Sequence, residues 1–247
     1  MNSGLYSAYS GLRANANMLE VLANNLANLN TTGFKGDETF FRLYNHAVGE
    51  SQMPLDQAIN DSTVVQGTVV NFQGGPLATT GRDLDVAIEG PGFFAVETPA
   101  GLRYTRNGHF EVNSQGRLVT SQGFEVQGKG GSISLPPGKV NISQIGDIEV
   151  NGTTAGSLKI VDFADKTQLE KMGHSLFQAR NAGTQEQEAR GTLLRQGTLE
   201  QSNINPVQQM MLMINMMRQF EGLQKAVNTV MNTLNERSVN QVGRTAT

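Results

Sequence analysis

Residues Asn205–Glu236 read NPVQQMMLMINMMRQFEGLQKAVNTVMNTLNE, and the spacing of their apolar members decides the fold. Asn205-Pro206 is a helix start, an amide able to cap followed by a residue whose fixed φ suits the first helical position. Behind it, Met213, Met216, Phe220, Leu223, Val227, Val230 and Leu234 fill consecutive a and d positions of a heptad repeat. The spacing predicts a helix over 206 to about 237, a rod of about 48 Å at 1.5 Å per residue. A seam this narrow wants a partner helix rather than a broad core. Met210, Met211, Ile214 and Met217 widen the stripe beyond one seam. That surplus calls for further neighbours, most simply other copies of the chain.

The opposite end repeats the pattern. Leu5, Leu12, Leu19 and Leu26 recur every seventh residue, and Ala8, Leu22 and Leu29 follow members of that series by three, with Asn15 interrupting the second row. Ser3 is the expected N-cap and Gly33 lies just past the expected end. Within this helix, Leu22–Lys35 reads LANNLANLNTTGFK, with asparagines at 24, 25, 28 and 30. Asparagine competes for backbone hydrogen bonds and favours caps and turns. A helix selected for stability alone would avoid it.

Between the ends the texture changes to short period-2 segments: Leu84, Val86 and Ile88; Phe110 and Val112; Phe124 and Val126; Ile133 and Leu135; Leu158 and Ile160. KTQLEKMG is a short helical patch near the end of this region. The expected class is therefore α+β, with N- and C-terminal heptad helices pairing as a coiled coil around a mainly-β, sandwich- or barrel-like centre. The expected blocks are 1–33, the N-terminal helix; 34–80, an extended, loop-rich linker; 81–200, the β domain; and 201–247, the C-terminal helix and tail.

Composition narrows the chemistry. The chain has 247 residues, with 19 basic against 22 acidic and no cysteine. Nucleic-acid binding is not expected, because no basic excess is gathered. Disulfides and thiolate chemistry are excluded outright. The start, MNSGLYSAYSGLRANANMLE, lacks the basic and apolar regions of a cleaved secretory signal. The longest apolar run, Met210–Ile214, is far short of the roughly twenty residues a bilayer requires. A soluble chain without membrane insertion is expected, and any export must use another route. His46, His109 and His174 show no ligand spacing, so no metal or other cofactor is expected. Asp83, Asp85 and Glu89 share one face of a strand, opposite Leu84, Val86 and Ile88, and read as a solvated edge rather than a catalytic pair. EGPGFF and GKGGSIS are turns, not phosphate loops, since neither leads into a helix. No enzyme and no small-molecule substrate are expected.

The ends carry a resemblance. SGLYSAYSGLRANANMLEVLANNLANLNTTGFK resembles the N-terminal motif of bacterial flagellar rod and hook proteins, and GTLEQSNINPVQQMMLMINMMRQFEGLQKAVNTVMNTLNE the matching C-terminal motif. DLDVAIEGPGFFAV, YTRNGHFEVNSQGRLVTSQGFEV and KTQLEKMGHSLF agree in between, leaving mainly 36–75 outside the likeness. The resemblance implies a structural subunit of the flagellar axis: terminal helices packed into a tube, the β domain outside, and copies of itself and of other rod proteins above and below. It also implies export through the flagellar type III apparatus into the periplasmic rod. The asparagines Asn24, Asn25, Asn28 and Asn30 are then expected to bond across helix and subunit contacts, with Asn203 and Asn205 near the opposing helix start. Gly33 and Phe34 belong to the same interface. Within the family, the opening NSGLYSAYSGL and the tail ERSVNQVGR look most like the proximal-rod type, with a distal-rod or hook-type subunit the alternative. FFRLY, with Phe40 and Tyr44, has the shape of an aromatic export motif. A stalked β-domain binding module is the alternative from another class, and it predicts a closed oligomer of fixed size.

Overall fold

Helix α1 runs Asn2–Ala27 and helix α2 runs Pro206–Arg244. The structure is a computed structural model describing residues 2–44, 63–181 and 184–244, with the backbone alone given at 2–8, 41–44, 63–66 and 234–244. Ser3 is already inside α1 rather than capping it, because the helix begins one residue earlier. The helix stops at Ala27, where Asn28 and Asn30 bracket Leu29 and turn-forming residues take over; the Thr31 amide donates to Asn28 O at 3.2 Å. Helix α2 outruns the expected end near 237. Nothing in Glu236–Val242 breaks a helix, and Gly243 stands at the end.

The chain folds into two compact units interleaved in sequence: Met1–Leu26, Asp37–Val69 and Asn205–Thr247 form one, Ala27–Gly36 and Val70–Ile204 the other. The chain therefore passes between units at 26/27, 36/37, 69/70 and 204/205. Within the stretch 34–80, the described residues include three strands, and 45–62 lie outside the described residues. Asp37–Tyr44 and Thr63–Val70 pair as a two-stranded sheet in the first unit. Leu77–Thr79 pairs antiparallel with Thr198–Glu200 in the second.

The second unit is mainly β. Its largest sheet has ten strands, running through Leu169–Lys171, Leu176–Ala179, Gly101–Thr105, Phe93–Thr98, Glu125–Gly128, Leu118–Thr120 and Phe110–Val112. A three-stranded sheet, Val140–Ile142, Asp147–Val150 and Thr153–Ser157, adds to it. Phe93–Val96 is apolar without alternation because both faces of that strand are covered. Phe94 and Val96 join the larger core cluster with Val86, Ile88, Phe110 and Leu118. Phe93 turns to a second cluster with Tyr104, Phe163 and Phe177. KTQLEKMG is a single 3₁₀ turn, Lys166–Gln168, capped by Asp165, and then a strand, Leu169–Lys171, whose Leu169 is buried.

Asp85 departs from the solvated face expected of it. It is buried, accepting from Thr80 Oγ1 at 2.6 Å and lying 2.8 Å from His109 Nδ1. Asp83 and Glu89 are exposed as expected, and Glu89 meets Arg195 at 2.5 Å.

Candidate functional site

The residues expected at the assembly interface divide between the two units. In the first unit, Met213, Met216, Phe220, Leu223 and Val227 of α2 are each half-buried, in the alternating steps of three and four that the heptad requires. Gly11 of α1 faces this seam, since a Cβ built on it would lie 3.9 Å from Leu223 Cδ1. Val230 is exposed, beyond the covered stretch, and the side chains of Leu234 and Leu5 lie outside the described residues. Around the helix from the seam, Val207, Met210, Met211, Ile214 and Met217 are exposed. Asn205 caps α2 as its sequence foretold, its Oδ1 accepting from the amides of Val207 at 3.1 Å and Gln208 at 3.2 Å.

On α1, Leu12, Leu19 and Leu26 are half-buried and Leu22 is buried. Asn25 is buried too, and both ends of its amide bond within the chain. Its Nδ2 donates to Asp37 O at 2.8 Å and its Oδ1 accepts from Asp37 N at 2.9 Å. It therefore fastens α1 to the start of strand Asp37–Tyr44 instead of reaching for another subunit. Asn24 is exposed, and Asn28 accepts from the Thr31 hydroxyl at 3.2 Å. Leu29 is half-buried in the turn after α1. Phe40 is exposed on strand Asp37–Tyr44, and only the backbone of Tyr44 is described.

In the second unit, three segments meet: 33–36, 71–76 and 200–204. Asn203 ties them with one side chain. Its Oδ1 accepts from Gly36 N at 2.8 Å, while its Nδ2 donates to Asn71 O at 2.8 Å and Gln73 O at 3.2 Å. Gly33 has φ +67°, and a Cβ there would meet Asn107 N at 2.4 Å, so only glycine fits. Phe34 is buried with the Lys171 ammonium 4.5 Å from its ring centre.

Beneath these contacts lies a charge cluster that no sequence pattern announced. Lys35 is 0 % exposed and Glu200 1 %. The Lys35 ammonium donates to Glu200 Oε1 at 2.5 Å and to Gln73 O at 2.7 Å. Gly75 N donates to the same carboxylate oxygen at 2.8 Å, and Arg106 Nη1 reaches Glu200 Oε2 at 3.3 Å. Arg106 also lies over the Phe93 ring at 5.4 Å and donates to Gly90 O at 2.7 Å. Burial pulls both Lys35 and Arg106 below their ordinary pKa values, against the opposing attraction of Glu200. Lysine is almost never buried without a partner, so the Lys in TTGFKG was the available signal. What sequence could not supply was the partner, far along the chain.

This geometry holds segments together. In the Asp85 cluster, Thr80 and His109 address the same carboxylate, so no hydroxyl–imidazole relay forms. Among the described residues, no group of His, Asp and Glu could hold a metal ion, and no helix is long and apolar enough to cross a membrane.

Comparison with known proteins identifies the family. Residues 5–35 match the family described as flagella basal body rod protein, 87–152 the flagellar hook protein FlgE/F/G D1 domain, and 195–237 the flagellar basal body rod FlgEFG protein C-terminal. The chain is 32% identical over 252 residues to flagellar basal-body rod protein FlgF of Caulobacter vibrioides, covering 99% of each. It is 33% identical over 260 residues to flagellar basal-body rod protein FlgG of Borreliella burgdorferi, covering 95% of this chain and 97% of that one. The corresponding FlgG of Bacillus subtilis is 31% identical over 251 residues, with 93% and 95% covered. With matches at both helical ends, through the β unit and along whole relatives, the chain belongs to the flagellar basal-body rod protein family, of the FlgF/FlgG type.

Proposed function

We propose that this chain is a non-catalytic subunit of the proximal rod, the FlgF type, assembling through its terminal helices into the shaft that transmits torque. Helices α1 and α2 pair as a coiled coil, and the remaining apolar surface of α2 packs against other copies and against rod proteins above and below. The chain reaches the periplasmic rod through the flagellar type III apparatus, without a cleaved signal. Phe40 and Tyr44 serve export while the chain is unfolded. A head-to-tail contact that does not close generates a helical assembly, as a shaft requires.

The single observation that carries this reading is the two-sided character of α2. One apolar seam is half-covered by the chain itself, while a second, Met210, Ile214 and Met217, stays exposed. Large exposed apolar patches mark interaction surfaces. The near-complete coverage of FlgF from Caulobacter vibrioides supports the proximal type.

Absence of cysteine supplies the test. Single cysteines at the exposed positions Asn17, Gln219 and Asn232 are introduced, basal bodies carrying the variant are purified and oxidised, and the cross-linked species are identified. Cross-links between copies and to other rod proteins are expected, and the neighbours' identities separate proximal from distal rod. Absence from basal bodies, or cross-linking solely into a closed soluble dimer, would sink the proposal.

A further inference from the structure

We infer that the exposed methionines of α2 form an oxidation site that governs whether an unassembled subunit can join the rod. The inference rests on the proposed role of this face as a contact between copies. Met210, Met211 and Met217 are 49%, 61% and 49% exposed. Met213 and Met216, on the same helix, are half-buried in the seam. At 3.6 residues per turn, the exposed group centres roughly 110° around α2 from the covered one. Between Met210 and Met217, oxidant reaching the free subunit therefore meets one face of the helix first; Met231, 44% exposed, lies beyond the covered stretch.

The composition removes the usual competitors. The chain has no cysteine and no tryptophan, leaving methionine as its readily oxidised side chain. The reaction needs a hydroperoxide as co-reactant. The thioether sulfur attacks the distal peroxide oxygen, an S–O bond forms as the O–O bond breaks, and water or an alcohol leaves. Sulfur gives up two electrons and the peroxide accepts them. The product sulfoxide is polar and chiral where the thioether was apolar and flexible, and it disrupts Met-rich interfaces. A subunit oxidised on this face keeps its internal seam and its β unit while losing the surface offered to the next copy. Once packed against a neighbour, the same sulfurs are shielded. Oxidation thus discriminates between free and assembled subunits, and sulfoxide reduction restores the free form.

The test uses the purified full-length chain, hydrogen peroxide as probe, mass-spectrometric mapping of sulfoxide and sedimentation velocity to follow association. Sulfoxide is expected to accumulate on Met210, Met211 and Met217 before Met213 and Met216, with association falling roughly tenfold or more and returning after treatment with methionine sulfoxide reductase. The triple variant M210L/M211L/M217L keeps the face apolar without its thioethers, and its association, whatever its untreated value, should be the same before and after peroxide. Met172, on the β unit and 50% exposed, is the control: M172L should leave the peroxide response unchanged. Equal oxidation of Met213 and Met216, or undiminished association after oxidation, overturns the inference while leaving the rod proposal standing. Failure of the untreated chain to associate at any concentration overturns the copy-to-copy reading itself, and the inference falls with it.

Discussion

Lys35 and Glu200 stand 165 positions apart in sequence and 2.5 Å apart in space, both shut off from solvent. The pair joins the segment that follows α1 to the strand that precedes α2, inside one unit. A buried ion pair is weak evidence for stability as such, yet breaking one leaves an uncompensated charge. Lys35→Ala leaves the Gln73 carbonyl with the longer bond from Asn203 alone and Glu200 dependent on Arg106 and Gly75. A loss of about 3–5 kcal/mol is expected from the β unit, read by urea denaturation against wild type. A loss below about 1 kcal/mol, the scale of an exposed pair, would show the cluster to be hydrated instead.

The same lysine makes a pH prediction. Burial lowers its folded pKa below the ordinary 10.5. The unfolded chain therefore holds more protons as pH rises through the folded value, and stability rises with pH in that window. Below it, both states are protonated and the cost of the buried charge is constant. The melting temperature of wild type minus that of Lys35→Met should thus increase as pH rises toward 10.5. Taking the difference cancels Tyr104, whose pKa is raised by burial and by its bond to Glu186, and which opposes the trend only at higher pH. A flat or falling difference contradicts the desolvated lysine.

Gly33 and Gly36 lie three residues apart and should not tolerate alanine equally. At Gly33 the added Cβ strikes backbone, Asn107 N at 2.4 Å, and φ is +67° besides. At Gly36 it strikes Ile204 Cδ1 at 2.0 Å, the far end of a flexible side chain. Gly33→Ala should cost several kcal/mol or prevent folding, since strain and clash combine there. Gly36→Ala should cost about 1–3 kcal/mol, the scale of overpacking. Thermal denaturation of the two variants side by side checks the order, and equal losses would contradict it.

These positions show where sequence reading succeeded and where it could not. The seam from Met213 to Val227 was legible because a helix repeats every 3.6 residues, so local spacing alone reports which side is covered. Asn205 was legible for the same reason, since a cap acts on the amides two and three residues ahead. Asn25 was noticed but misassigned. Its partner Asp37 is only 12 residues away, yet the return of the chain after the TTG turn was invisible until the strand Asp37–Tyr44 was placed. Asp85 was misread because period-2 alternation assumes one wet face, whereas Val86, Ala87 and Ile88 are all buried. Lys35, Arg106 and Glu200 come from three distant segments, and no local pattern encodes their meeting.

The cap of α2 gives the most local test. Asn205 supplies one side-chain oxygen to two otherwise orphaned amides, and its own carbonyl accepts from Gln209 N at 3.0 Å. Asn205→Ala removes the first contribution and leaves the second, so the expected cost is about 1 kcal/mol. Asn205→Asp keeps the acceptor and adds a negative charge at the positive end of the helix, which should hold or slightly improve stability. Hydrogen exchange at Val207 and Gln208 reads the effect where it arises. Faster exchange is expected in the alanine variant alone, with the β-unit amides unchanged. Acceleration spreading to the amides of Val86–Glu89 would mean that the cap also supports the β unit, contrary to a local role.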